Sequence, residues 1–447
     1  MNLQIRLLLL AAALFPGLSL YGSDTQPAAS HPDDERLQWW RDARFGLFIH
    51  WGPISLKGTE IGWSRGGERR GYKSRGTQIP VEVYDNLYRQ FNPTRFNADD
   101  WVATAKAAGM NYLVFTSRHH DGFSMFDTQA DDYKITSPDS PFRRDVVREL
   151  AEACRRAGLR FGVYYSQPNW HHPDAFTERH TNYLAYLKTQ VRELLTRYGT
   201  LDIFWFDGLG KKAADYDAAA LNQMIRELQP RILINNRNGL PEDFDTPEQV
   251  IGKFQYNRPW ESCITICKQW AWKPNDKMKS LRECLETLVR CAGGDGNLLF
   301  NVGPMPDGRI EPRQVKRLEE MGAWLKHHGE SIYGTRGGPW KPGNSFASTR
   351  RGNTIFLHLL NYDGKTITLP NIPRKIIANS MLTGGTARIT QSDRRLSIRV
   401  DALPALPPSM GAELLLPPGP ARSTTPRIDS ILKLELDGSA MDLEPPD

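Results

Sequence analysis

The residue pattern predicts an α/β fold, a (β/α)8-like (TIM-type) barrel followed by an antiparallel β-sandwich, and three observations carry that prediction. Between residues 44 and 335, apolar runs of strand length alternate with amphipathic helical stretches. Helical stretches close on glycine just ahead of the next apolar run, as in Ala108-Gly109, Ala157-Gly158 and Tyr198-Gly199. After about residue 340 the texture changes to short strands split by Asp-Gly, Gly-Gly and Ser-Asp turns.

The strand candidates of the barrel are Phe45–Trp51, Tyr112–Ser117, Leu159–Ser166, Leu201–Asp207, Arg231–Asn236, Val250–Tyr256 and Asn297–Val302. Continuously apolar strands covered by helices indicate a parallel sheet. Seven or so such units over ~290 residues suit a closed barrel better than an open doubly wound sheet. No Gly-rich dinucleotide fingerprint follows the first strand. Asn97 is placed to cap the first covering helix, which presents Trp101, Val102 and Ala105. Val147, Leu150, Ala151 and Cys154 share one face of the next, and Leu184, Leu187, Val191 and Leu194 one face of the third. Two later helices read Met278–Ala292 and Glu311–His328. The barrel is assigned to residues 30–338 and the sandwich to 341–418. A Pro- and Ser/Thr-rich tail over 419–447 is expected to be partly disordered.

The chain of 447 residues is long enough for a sizeable core, and its net charge of +6 is spread rather than clustered. Basic residues interleave with acids, as in Arg143, Arg144, Asp145, Arg148 and Glu149, which gives no support to a nucleic-acid partner. Arg6 precedes an apolar run from Leu7 to Leu20, interrupted by Pro16 and Gly17 and followed by polar Ser23-Asp24-Thr25-Gln26. Residues 1–22 therefore read as a cleaved secretory signal. The run is shorter than the ~20 residues of a membrane span, so a secreted protein without a membrane span is expected. Five cysteines do not form a disulfide framework, and Cys284 and Cys291 sit about 10 Å apart along a helix. An isolated disulfide stays open.

In a parallel barrel the active site forms at the C-terminal ends of the strands. Those ends carry His50-Trp51, His119-His120-Asp121, Tyr164-Tyr165 with Trp170 beyond, Trp205-Phe206-Asp207-Gly208 and Asn235-Asn236-Arg237, and Glu261 follows the sixth candidate strand. Asp207 ends an aromatic strand on the same face as Trp205. A carboxylate there can attack an anomeric carbon; the plainer alternative is a turn or helix-capping Asp. Glycoside hydrolysis needs a second carboxyl, for which Glu261 beside Trp260 is the first choice, with Glu60 and Glu68 as competitors. His50, His119, His120, His171 and His172 could ligate a metal, but helical His-Glu-x-x-His spacing is absent, and adjacent His119 and His120 on an extended strand point to opposite faces. Neutral imidazoles can instead hydrogen-bond sugar hydroxyls.

Several ordered motifs then carry a family resemblance. Phe45-Gly46-Leu47-Phe48-Ile49-His50-Trp51-Gly52, His119-His120-Asp121-Gly122-Phe123, Trp205-Phe206-Asp207-Gly208, Asn301-Val302-Gly303-Pro304 and Gly329-Glu330-Ser331-Ile332-Tyr333-Gly334 closely resemble the α-L-fucosidases of glycoside hydrolase family 29. The likeness runs from about Gln38 to Pro339. It implies a barrel with a C-terminal β-sandwich and a retaining, cofactor- and metal-independent double displacement on terminal fucose of oligosaccharides or glycoconjugates. By resemblance Asp207 is the nucleophile, and His50, His119 and His120 bind the sugar with Tyr164, Trp205 and Arg237. Glu60 and Trp63 are similar to the family's first-loop acid and aromatic, Trp272 to an aromatic near the methyl pocket, and Glu261 to the acid/base of one branch. A catalytically silent fucose-binding protein and a retaining exo-glycosidase of another sugar specificity are the alternatives.

Overall fold

The computed structural model describes residues 34–360, 362–402 and 429–444; the signal-peptide expectation for residues 1–22 lies outside them. Seven parallel strands form the barrel sheet: β1 (Phe45–Ile49), β2 (Tyr112–Arg118), β3 (Arg160–Ser166), β4 (Ile203–Asp207), β5 (Leu233–Ile234), β6 (Glu261–Thr265) and β7 (Asn297–Val302). Their order is β5-β4-β3-β2-β1-β7-β6, every pairing parallel. Nearly every strand residue is buried, the consequence of a sheet with helices outside and packed side chains within.

Between β5 and β6 the barrel closes through an irregular stave. Parallel bridges join Asn235 to Phe244, Asp245 to Trp260 and Glu248 to Cys263. The backbone bonds run from Asn236 N to Phe244 O at 3.0 Å on one side and from Cys263 N to Pro247 O at 3.1 Å on the other. The expected sixth strand, Val250–Tyr256, is not a strand. Val250 and Tyr256 at its two ends are 58% and 50% exposed, and Ile251 and Phe254 between them are only half-buried. The strand lies instead at Glu261–Thr265, so Glu261 begins a strand rather than following one.

The covering helices start and stop as their residue types demand. The Asn97 side chain accepts from Asp99 N ahead of Ala98–Ala107. Asp145 caps Val146–Ala157, which ends on Gly158 at a left-handed φ of 67°. Ser280 and Glu283 form a reciprocal capping box for Leu281–Gly293.

The second domain has two antiparallel sheets. One runs β8 (Arg336–Gly337), β9 (Phe346–Arg351), β10 (Thr354–Leu360), β15 (Asp429–Leu436) and β12 (Ile376–Met381); the other runs β11 (Ile367–Pro370), β14 (Arg395–Ala402) and β13 (Thr386–Gln391). Between them lies a separate core that includes Trp340, Leu357, Leu396, Leu432 and Leu434. β15 corrects the expected tail boundary, because residues 429–436 pair with both β10 and β12 in the middle of a sheet. Leu432, Leu434 and Leu436 alternate toward the core, a two-residue period that follows directly on a proline-rich stretch. Asp295, at the base of the barrel, ties the domains together: it pairs with Arg41 at 2.7 Å and Arg44 at 2.6 Å and accepts from Gly337 N of β8.

Candidate active site

The strand ends converge on one rim. Phe48, His50, Trp63, His119, His120, Tyr164, Trp205, Asp207, Leu209, Arg237, Glu248, Cys263 and Trp270 line a cavity of about 90 Å³. That is small for a ligand site and on the scale of one sugar ring. It opens onto a wider bowl of about 480 Å³ that shares Trp63, Asp207, Leu209, Arg237 and Glu248 and adds Tyr72, Lys211 and Asn236.

Asp207 is the last residue of β4, in register with Ser166 at the end of β3. Tyr164 donates its hydroxyl to Asp207 Oδ2 at 3.0 Å, and Leu209 N reaches Oδ1 at 3.4 Å. Arg237 Nη1 stands 3.7 Å from the same Oδ1, and His120 Nε2 3.6 Å from Oδ2. Burial works to raise the Asp207 pKa, but the Arg237 guanidinium, the Leu209 amide and the Tyr164 hydroxyl hold it below the ordinary carboxylate value. The carboxylate is thus kept ionised. Gly208 follows because a Cβ there would meet the Arg237 carbonyl oxygen at 2.4 Å, and Leu209 then takes a left-handed φ of 51°.

The three histidines are neutral. Burial drives His50 down to about 3 and His120 to about 4, and it lowers His119 as well. Asn301 Nδ2 donates to the Trp270 carbonyl at 2.8 Å, which turns its Oδ1 toward His50 Nδ1 at 2.7 Å. His50 Nδ1 must therefore carry the proton, leaving Nε2 as an acceptor. His120 follows the same logic: Ser166 Oγ donates to Pro168 O and accepts from His120 Nδ1, both at 2.7 Å. The expectation that His119 and His120 point to opposite faces is corrected. Both lie beyond the end of β2, where strand alternation no longer applies, and their ring centres are 4.1 Å apart on the cavity wall. His171 and His172 lie elsewhere, packed against Tyr133 and Tyr183.

Three expected residues are not where the sequence reading put them. Glu261 is 0% exposed at the first residue of β6, in register with Asn297 at the first residue of β7. That is the far end of the barrel from Asp207, below Trp205, whose indole donates to Glu261 Oε1 at 3.2 Å. It does not line the cavity and has no path to a leaving group, so the acid/base role does not fit it. Glu60 clamps backbone: it accepts from Trp270 N and Ala271 N at 3.0 Å and from Ile61 N at 3.2 Å, fastening the first loop to the loop after β6. Trp272 is outside the cavity, and Trp270 supplies the aromatic wall beside Phe48 and His50. Glu68 sits exposed on a hairpin, and Asp121 turns away to accept from Tyr84 at 2.6 Å.

The carboxyl that the sequence reading missed is Glu248. It ends the irregular stave at the mouth, its side chain 43% exposed, and accepts from Arg237 Nη1 at 2.7 Å. Asp207 Oδ1 lies 3.7 Å from that same nitrogen, so the two carboxylate oxygens are at most about 6.4 Å apart, the sum of the two distances. The missing signal was the position of the stave. With residues 244–248 recognised as a barrel element, Glu248 falls on its C-terminal end as Asp207 does on β4.

The α-L-fucosidase family model matches residues 21–330, the whole barrel. The plasma alpha-L-fucosidase of Homo sapiens is 31% identical over 333 residues, covering 68% of this chain and 70% of that protein. A putative alpha-L-fucosidase of Caenorhabditis elegans is 30% identical over 361 residues, 72% of each chain. Among solved structures, alpha-L-fucosidase isoenzyme 1 from Paenibacillus thiaminolyticus matches with a TM-score of 0.77 at 33% identity, covering 91% of this chain and all of its own. A pocket with a depressed carboxylate at a strand end, neutral histidines and aromatic walls thus stands in a chain that belongs to the α-L-fucosidase family of glycoside hydrolases.

Proposed function

We propose that this member of the family releases terminal α-L-fucose from fucosylated glycans with retention of configuration, Asp207 acting as nucleophile and Glu248 as acid/base. The observation that carries the reading is the single guanidinium nitrogen of Arg237 shared by both carboxylates, which limits their separation to about 6.4 Å. Retaining enzymes hold the pair at ~5–5.5 Å, whereas inverting ones need ~6.5–9.5 Å to admit a water.

In the first step an Asp207 oxygen bonds to the anomeric carbon as the glycosidic bond breaks, and Glu248 gives its proton to the departing oxygen. In the second, Glu248 takes a proton from water, whose oxygen displaces Asp207 and leaves fucose and both carboxyls as they began. His50 and His120 each turn an unprotonated Nε2 toward the sugar to accept from its hydroxyls, and Arg237 supplies donors. Phe48 and Trp270 offer an apolar wall for the C6 methyl, worth about 0.8 kcal/mol. The small cavity takes the terminal ring and the outer bowl its leaving group, which makes the action exo. The leader-like residues 1–22 support a secreted location.

Glu248→Ala tests the assignment. Turnover of a fucosylated disaccharide should fall by ~10²–10⁴-fold, and that of an activated aryl fucoside much less, because a good leaving group needs no proton. Azide should restore turnover and yield the α-fucosyl azide. Undiminished hydrolysis of the disaccharide would remove Glu248 from the mechanism.

A further inference from the structure

Glu261 has no place in the proton transfers, yet it is an odd filler for a barrel floor, where branched apolar side chains are the rule. Burial raises its pKa to about 7, and among the described residues no lysine or arginine pairs with it. Its compensation is three donors. Trp40 Nε1 at 3.3 Å and the Tyr112 hydroxyl meet Oε2, and Trp205 Nε1 at 3.2 Å meets Oε1. Departures from ordinary packing of this kind tend to mark function.

Two of those donors are interior only. The third, Trp205, is a wall of the sugar cavity. Its ring stacks on Tyr164 at 5.5 Å and 22°, and the Arg237 guanidinium rests on it at 4.9 Å. Tyr164 is the hydroxyl donor to Asp207, and Arg237 is the bridge between Asp207 and Glu248.

We propose that Glu261 is a positioning residue of the reaction, which holds the Trp205 indole by its Nε1–H so that Tyr164 and Arg237 stay in place at the catalytic carboxylates. An indole has two side-chain torsions. Stacking restrains its face, and an acceptor at the far edge stops it from turning within its plane. Without the acceptor, the buried N–H has no partner and the ring gains a reason to rotate. The platform under Arg237 then shifts with it.

The inference rests on the catalytic reading of Asp207 and Glu248, and its test separates the two. Glu261→Met removes all the acceptors, and kcat/KM for an aryl fucoside is expected to fall by ~10- to 100-fold, the scale of sub-ångström misplacement at a reacting centre. Glu261→Gln keeps an acceptor oxygen for Trp205 and should recover most of that loss. Tyr112→Phe strips a different donor from the same carboxylate, and should lower stability while leaving kcat/KM within about threefold. In a Trp205→Phe background, Glu261→Met should cost little more, since the group it acts through is gone. Equal losses from Tyr112→Phe and Glu261→Met, or a full additive loss in the Trp205→Phe background, would overturn the proposal and leave the roles of Asp207 and Glu248 untouched. Should Glu261→Met not fold, the same coupling to Trp205→Phe is read with Glu261→Leu, which likewise offers Trp205 no acceptor.

Discussion

Asp207 and Glu261 are carboxyls sealed into one barrel, at its two ends, and their surroundings push them in opposite directions. Each accepts from a tyrosine hydroxyl and at least one further N–H, so hydrogen bonding alone does not distinguish them. The difference is a cation. Arg237 stands beside Asp207, whose pKa is depressed despite burial, while Glu261 has neutral donors only and is raised to about 7. The mouth of the barrel stabilises a charge, as the proposed nucleophile requires; the floor favours a neutral acid and uses its carboxyl as a hydrogen-bond acceptor.

The largest effect expected from this contrast falls on activity. Asp207→Asn should cost at least ~1,000-fold in kcat, since an amide cannot form the glycosyl-enzyme, while thermal unfolding changes little; residual turnover within tenfold of wild type would break the assignment. Next comes a stability effect at the floor. Because the folded pKa of Glu261 lies above the unfolded value, the fold gains most below about pH 4.5 and loses that contribution as pH rises through about 7. The loss is on the order of 3 kcal/mol. Glu261→Gln cannot titrate, so in denaturant unfolding the stability of the wild type should fall relative to that of the variant as pH rises from about 4.5 to about 7, and a difference constant across that window would contradict the raised pKa. The smallest effect concerns the acid limb of kcat/KM. The proposed mechanism requires ionised Asp207, so activity should be lost as pH falls through its depressed pKa. Tyr164→Phe removes a hydrogen bond to the charged form, and its limb should move to higher pH; an unmoved limb would mean that the Tyr164 hydroxyl does not stabilise the nucleophile.

Much of the barrel was legible because its strands are continuously apolar and its helices carry caps and glycine stops. Asp207, His50, His119, His120, Tyr164, Trp205 and Arg237 could be placed on one rim from the strand-end rule alone, and the cavity brings them together. What failed was the element with no regular ladder. The stave over residues 244–248 is held by isolated bridges and contains Pro247, so it has no two-residue apolar period to announce it. The apolar residues of the Val250–Tyr256 segment imitated the missing strand, and the register error drew the choice of a second carboxyl to Glu261 and away from Glu248. The exchange of Trp272 for Trp270 has the same origin: loop residues after β6 obey backbone contacts, here the Glu60 clamp, which the sequence pattern does not encode.

The division between mouth and floor is tested most directly by trapping the intermediate. A 2-fluoro-fucosyl fluoride slows the second displacement more than the first, so the sugar should accumulate on the nucleophile. Peptide mass mapping is expected to find one fucosyl adduct, on Asp207, and none on Glu248 or Glu261. An adduct on either glutamate, or the absence of any adduct from a protein that turns over fucosides, would contradict the account.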